Sequence, residues 1–234
     1  MRKTYKVSEH SGIMVNFYEE TELAKKKFLD VARISPEKPI QFDSGYFMPM
    51  YMNTRALMFH HDDRTHIIHA LYWLMRQNVE PSIIAGVETA GIPWAAWLAE
   101  KRQYPFVYVR KERKTHGLER QIEGGNVNGN RVVVLEELLS TGQTAIDAIK
   151  TVRSEGGVVK YCLSLFSYNF PETQAAFEAL DPPCKSISLL TYDEWMTMAK
   201  EAKKITPADV EKLNEWNADP FNWGEKHGFP RIQR

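Results

Sequence analysis

Val132-Val-Val-Leu-Glu-Glu-Leu-Leu-Ser-Thr-Gly-Gln-Thr144 decides the reading of this chain. A fully apolar run over 132–135 ends in two carboxylates, Glu136 and Glu137, and the small residues Ser140, Thr141 and Gly142 then lead into a helical pattern. Such an apolar run suits a strand buried on both faces, as in a parallel sheet. Sheets of that kind bind ligands beyond the carboxyl ends of their strands, where both carboxylates fall. The loop offers backbone N–H groups and hydroxyls at a helix N-terminus, which suits a phosphate. Carboxylates for sugar hydroxyls beside a phosphate cradle point to a phosphorylated ribose.

Outward from this motif, helical and extended patterns alternate. Strands are expected at 83–86, 106–109, 158–166 and 186–190, with helices at 92–101, 144–154 and 172–180. That rhythm predicts an α/β fold, a parallel sheet flanked by helices. Before it, a helix is expected at 21–32 with Thr21 as its N-cap, extended segments at 40–53 around an Asp43-Ser44-Gly45 turn, and an amphipathic helix at 63–76. Residues 111–125 are polar and charged, which suits a long functional loop. Asn128-Gly129 is a hairpin-type turn signal. Two helices, 192–202 and 207–216, close the chain. The organisation expected is a subdomain over 1–80 laid like a hood across the sheet's carboxyl edge, an α/β core over 81–190, and helices within 191–234 packed on that core.

The bulk numbers narrow the function classes. Thirty Lys and Arg balance thirty Asp and Glu, so no global field favours nucleic acid or a membrane surface. The two cysteines, Cys162 and Cys184, read as buried reduced thiols. Met1-Arg-Lys-Thr opens polar sequence rather than an apolar signal region, and no apolar run approaches the ~20 residues that span a bilayer. A cytoplasmic protein is expected.

Three further stretches carry chemistry. Arg110-Lys-Glu-Arg-Lys-Thr-His-Gly117 places cations around His116 directly after a strand. Guanidinium and ammonium groups suit a polyphosphate, and His116 could deliver a proton near neutral pH. Gly86-Val-Glu-Thr-Ala-Gly-Ile-Pro93 is a strand-to-helix turn of small residues, where backbone can approach a ligand. Asp43-Ser-Gly-Tyr-Phe-Met-Pro-Met-Tyr-Met-Asn-Thr-Arg55 is rich in aromatic residues and methionine, as core or as ligand wall. His60, His61, Asp62, Asp63, His66 and His69 include pairs at helical spacing that could ligate zinc, but the pattern equally decorates an exposed helix start.

In this order and spacing the four motifs resemble the type I phosphoribosyltransferases, and within them the orotate phosphoribosyltransferases, over about 42–223. The 132–144 stretch resembles the family's signature for phosphoribosyl pyrophosphate (PRPP), and 109–117 its catalytic loop. The resemblance implies the type I fold and a transfer from PRPP to orotate that yields orotidine 5′-monophosphate, within pyrimidine (UMP) biosynthesis. It implies catalytic roles for Arg110, Lys111, Lys114 and His116 at the leaving pyrophosphate. PRPP would be held by Glu136, Glu137, Leu138, Leu139, Ser140, Thr141, Gly142, Gln143 and Thr144, and by the pyrophosphate loop Thr89, Ala90 and Gly91. Orotate would meet Ser44, Gly45, Tyr51, Met52 and Asn53. Mg²⁺ would be held mainly by PRPP and waters, with Glu136 and Glu137 as possible ligands, and a homodimer with shared active sites is implied.

The chain departs from that pattern in places. Glu137 replaces the usual Asp, Gln143 a common glycine, Asp43 a frequent Lys and Ala90 a Lys, and 166–170 lacks an arginine that some relatives place near the base. These departures motivate a second reading, a regulatory or binding protein of the same fold without catalysis. A third is a phosphoribosyltransferase for another base.

Overall fold

Along the central strand, successive apolar side chains fall on opposite faces of the sheet. Val132 and Val134 join one apolar cluster, Val133 and Leu135 the other. A strand with both faces covered needs no polar alternation, which is why it reads as a continuous apolar run. The structure, a computed structural model, describes residues 17–42, 45–112 and 120–232.

In chain order the elements begin with α1 (Phe17–Val31), β1 (Ala32–Ile34), β2 (Ile40–Gln41), β3 (Phe47–Met48), β4 (Met50–Met52), a 3-10 turn (Thr54–Met58) and α2 (His61–Asn78). Then follow β5 (Ile83–Val87), α3 (Gly91–Arg102), β6 (Phe106–Val109), β7 (Ile122–Glu123), β8 (Arg131–Leu139) and α4 (Gln143–Ser154). The chain continues through β9 (Val158–Ser167), α5 (Pro171–Glu178), β10 (Lys185–Thr191), α6 (Tyr192–Glu201), α7 (Pro207–Ala218) and α8 (Trp223–Lys226).

Six strands form the main sheet in the order β10-β9-β8-β5-β6-β7, parallel except for the antiparallel edge strand β7. Chain order runs outward one way from β5 to β6 and the other way from β8 to β10. The topological switch point therefore lies between β5 and β8, where open α/β sheets bind their ligands. One face is covered by α1, α2, α3, α6 and α7, through residues such as Phe28, Leu71, Trp94, Trp195 and Trp216. The other is covered by α4 and α5, through Ile149 and Phe177. Two short antiparallel pairs, β1 with β4 and β2 with β3, stand apart from the sheet, and Met48, Met50 and Met52 carry them into the first cluster.

The expected α/β rhythm is present. Four local expectations need correction. Thr21 lies inside α1, not at its cap. The central strand does not end before the carboxylates, since the ladder to β9 continues through Glu136 to Leu139. The polar loop contains β7, and the Asn128-Gly129 turn joins β7 to β8, which are not neighbours in the sheet, so it closes no hairpin. Both cysteines are free and buried, and burial pushes the Cys184 thiol up to about 11. No helix among the described residues is long and apolar enough to cross a membrane.

Candidate functional site

The two carboxylates at the end of β8 leave the strand on opposite faces, as side-chain alternation requires. Glu137 turns toward the 3-10 turn that follows β4. The Thr54 hydroxyl donates to Glu137 Oε1 at 2.5 Å, and Arg55 Nε lies 3.4 Å from Oε2. Thr54 is 2% exposed, so this hydrogen bond is internal to the fold. Glu136 turns the other way and lines a cavity of about 90 Å³ with Leu138, Ser140, Thr141, Gly142 and Thr144. Burial pushes its carboxyl up to about 8, against the Glu137 N–H that donates to Oε1 at 2.8 Å; the neighbouring Glu137 charge adds to the rise.

The same cavity is capped by the start of α4. The first N–H groups of a helix have no intrahelical acceptor, and here no side chain caps them. The turn depends on Gly142, whose φ is +77° and at which a Cβ would meet Phe177 and Thr173 at 2.9 Å. Thr173 of α5 also donates to the Ser140 carbonyl at 2.5 Å, which holds the loop from behind. Gln143, where glycine is common in the resembled pattern, is the first residue of α4 and is exposed. Its amide donates to Asp147 at 2.8 Å along the helix surface. The left-handed conformation falls on Gly142 alone, so glutamine fits at 143. Ser140 and Thr141 are half-buried, Thr144 is exposed, and Leu139 is packed in the core.

Across the switch point, the loop after β5 carries Thr89, exposed, and Ala90 and Gly91, both buried. Gly91 lies so close to β8 that a Cβ would meet the Leu135 carbonyl oxygen at 2.5 Å. The peptide bond Glu88-Thr89 is cis. Glu88 ties this loop to the end of β6, accepting the Lys111 N–H at 2.8 Å. Arg110 is half-buried and Lys111 exposed, so both are brought to the carboxyl edge of the sheet beside the β5 loop. Lys114 and His116 lie outside the described residues.

Of the segment expected to meet a base, Ser44 and Asp43 also lie outside the described residues. Gly45 has φ +84° in the turn between β2 and β3. Tyr51 is half-buried with its ring 5.9 Å from that of Phe42. Asn53 is exposed, whereas the Met52 side chain is 1% exposed and belongs to the core. Sequence reading assigned no role to Thr54 or Arg55, the residues that reach Glu137. Their only signal was position, directly after Asn53 in the motif.

The histidine cluster resolves differently from a zinc site. His66 and His69 place Nδ1 at 3.2 and 3.4 Å from one carboxylate oxygen of Glu20, joining α2 to α1. Asp63 pairs with Lys27 at 2.7 Å. Among the described residues no group of three or more His, Cys, Asp or Glu is placed to hold a metal ion.

Comparison with known proteins gives this geometry a family. The model of the phosphoribosyl transferase domain matches residues 60–185. An orotate phosphoribosyltransferase of Coxiella burnetii is 35% identical, over 87% of this chain and 97% of its own. Among solved structures, an orotate phosphoribosyltransferase from Aeropyrum pernix superposes with a TM-score of 0.65 at 26% identity, over 80% of this chain and 99% of its own. The UMP synthase of Leishmania donovani superposes with a TM-score of 0.70 at 25% identity over 84% of this chain, which spans only 42% of that protein's length.

Proposed function

The chain belongs to the orotate phosphoribosyltransferase family, and from that membership we propose how its residues move a phosphoribosyl group from PRPP to orotate. The observation that carries the reading is the pairing, across the switch point, of the Glu136–Glu137 strand end and α4 cavity with the Glu88–Lys111 junction. In this reading the N–H groups at the start of α4, with Ser140, Thr141 and Thr144, hold the 5′-phosphate. Glu136, on the cavity side, and Glu137, once released from Thr54, receive the ribose hydroxyls. The backbone of Thr89, Ala90 and Gly91 approaches the pyrophosphate, and Arg110 and Lys111 face it, joined by Lys114 and His116 from the loop. Gly45, Tyr51 and Asn53, with Ser44, border the base; Met52 contributes backbone.

The bond from the anomeric carbon to pyrophosphate breaks and its electron pair goes with the leaving group, while the orotate ring nitrogen bonds to that carbon and gives up its proton, which the pyrophosphate oxygens can take. The sugar passes through oxocarbenium character, as at other glycosidic centres. Negative charge grows on the departing pyrophosphate, so fixed cations aimed there lower the barrier more than cations aimed at the base. Magnesium takes oxygen ligands and keeps several waters, so it would be held mainly by the diphosphate and waters, with Glu136 and Glu137 as further carboxylate donors. When bound it would spread the charge of the diphosphate. Ionisation of Glu136, held protonated by burial, would accompany any such contact.

Residues 1–80 are proposed as the hood of the site and the protein as a cytoplasmic homodimer in which the loop of one subunit reaches its partner's site. The test is a panel of orotate, uracil and purine bases, each with PRPP and Mg²⁺. Nucleotide formed from orotate alone supports the reading. Consumption of another base in its place, or PRPP binding without turnover of any base, removes it.

A further inference from the structure

The chain after α8 folds back over the turn between β2 and β3 and fastens it. The Ile232 N–H donates to the Gly45 carbonyl at 3.1 Å. Gly45 is covered so closely that a Cβ there would collide with the Ile232 carbonyl oxygen. The next residue, Tyr46, carries the Arg231 guanidinium 4.3 Å from its ring centre. The one after that, Phe47, has its ring 5.8 Å from Phe229. Phe229 is in turn fixed by its own N–H, which donates to the Gly224 carbonyl at 2.7 Å. Three consecutive residues of the base segment are thus each held by one residue of 229–232.

That fastening matters at the turn itself: the segment's core anchors, Met48, Met50 and Met52, lie beyond it, and Tyr46 otherwise meets the Phe221 ring at 5.2 Å. The β2–β3 ladder consists of two residue pairs, Ile40 with Met48 and Gln41 with Phe47. Isolated two-stranded pairs are marginally stable even when longer. The PRPP cradle, in contrast, is fixed by separate contacts, Thr173 to Ser140 and Lys111 to Glu88. We infer that residues 229–232 are a positioning strap for the base segment: they hold Gly45, Tyr46 and Phe47 in the conformation that receives the base, without touching the PRPP cradle. The inference rests on the proposed assignment of 44–53 to orotate.

Ile232→Pro removes the N–H that reaches Gly45, and Ile232→Ala keeps it; a Phe229→Ala/Arg231→Ala double variant removes the two ring contacts. Removing one such hydrogen bond should raise the orotate KM by about three- to tenfold, with the PRPP KM unchanged and Ile232→Ala close to wild type. Hydrogen exchange at Gly45–Met48 should accelerate in the same variants, while a retained unfolding midpoint shows that the fold survives. An unchanged orotate KM in folded Ile232→Pro and the double variant, or a parallel rise in the PRPP KM, overturns the strap. If the wild type fails to consume orotate, the assigned function fails instead. The strap is then judged by hydrogen exchange alone, and unchanged protection overturns it.

Discussion

Thr54 and Glu137, 83 positions apart, share a buried hydrogen bond of 2.5 Å that joins the segment after β4 to the carboxylate pair at the end of β8. Glu137, where aspartate is usual in the resembled pattern, meets Thr54 through Oε1 and Arg55 through Oε2. Thr54→Val keeps the volume but leaves a buried carboxylate oxygen without its donor, so stability should fall by about 1–3 kcal/mol. Denaturant unfolding at constant m reads this, and Thr54→Ser should recover most of it. A Thr54→Val variant as stable as wild type would show that the bond contributes nothing.

Glu136 makes stability depend on pH. Its folded value, about 8, lies above the ordinary 4.5, so the folded state keeps a proton that the unfolded state has released. The resulting stability is complete below 4.5, declines as pH rises, and is gone above about 8. The slope from this one group is at most about 1.4 kcal/mol per pH unit. In Glu136→Gln that slope should vanish, so the ligand-free variant gains on wild type between pH 5 and 8.5. Parallel unfolding profiles for the two proteins would contradict the assignment.

The turn at Gly142 tolerates no side chain. Gly142→Ala forces a left-handed conformation costing roughly 1–2 kcal/mol and drives a methyl into Phe177 and Thr173. Stability and PRPP affinity should fall together, measured by unfolding and calorimetry. Gln143→Gly, at an exposed position in the first turn of α4, should cost at most about 1 kcal/mol and leave PRPP binding close to wild type.

Lys114→Ala addresses the loop outside the described residues. Turnover should drop by the ~10²–10⁴-fold associated with a donor to a transition state, with PRPP binding much less affected. If the loop works across a dimer, mixing Lys114→Ala with Glu137→Ala chains should restore part of the activity. No recovery in confirmed heterodimers would argue against a shared site.

The sheet was legible because its residues obey local rules. The apolar runs of β5 and β8 announce strands covered on both faces, and Ser-Thr-Gly announces the loop into α4. Glu136, Glu137 and the α4 turn were readable for the same reason. What was not legible depends on partners distant in sequence. Thr54 looks like any threonine until β8 places Glu137 beside it. The end of β8 was read too early because a carboxylate normally marks a strand's exit to solvent, yet here the ladder to β9 carries both glutamates inside. The grip of Ile232 on Gly45 leaves no pattern in either segment, since it runs through backbone atoms. Met52 came into the base site with the whole 44–53 segment that the resemblance gave to orotate; strand alternation sends its side chain inward.

The most direct test of phosphoribosyl transfer is the stoichiometry of the wild-type reaction with orotate, PRPP and Mg²⁺, following orotate absorbance and released pyrophosphate together. Phosphoribosyl transfer requires that orotate be lost only when PRPP is present, with one pyrophosphate released for each orotate consumed. Pyrophosphate released from PRPP while orotate stays constant would contradict it.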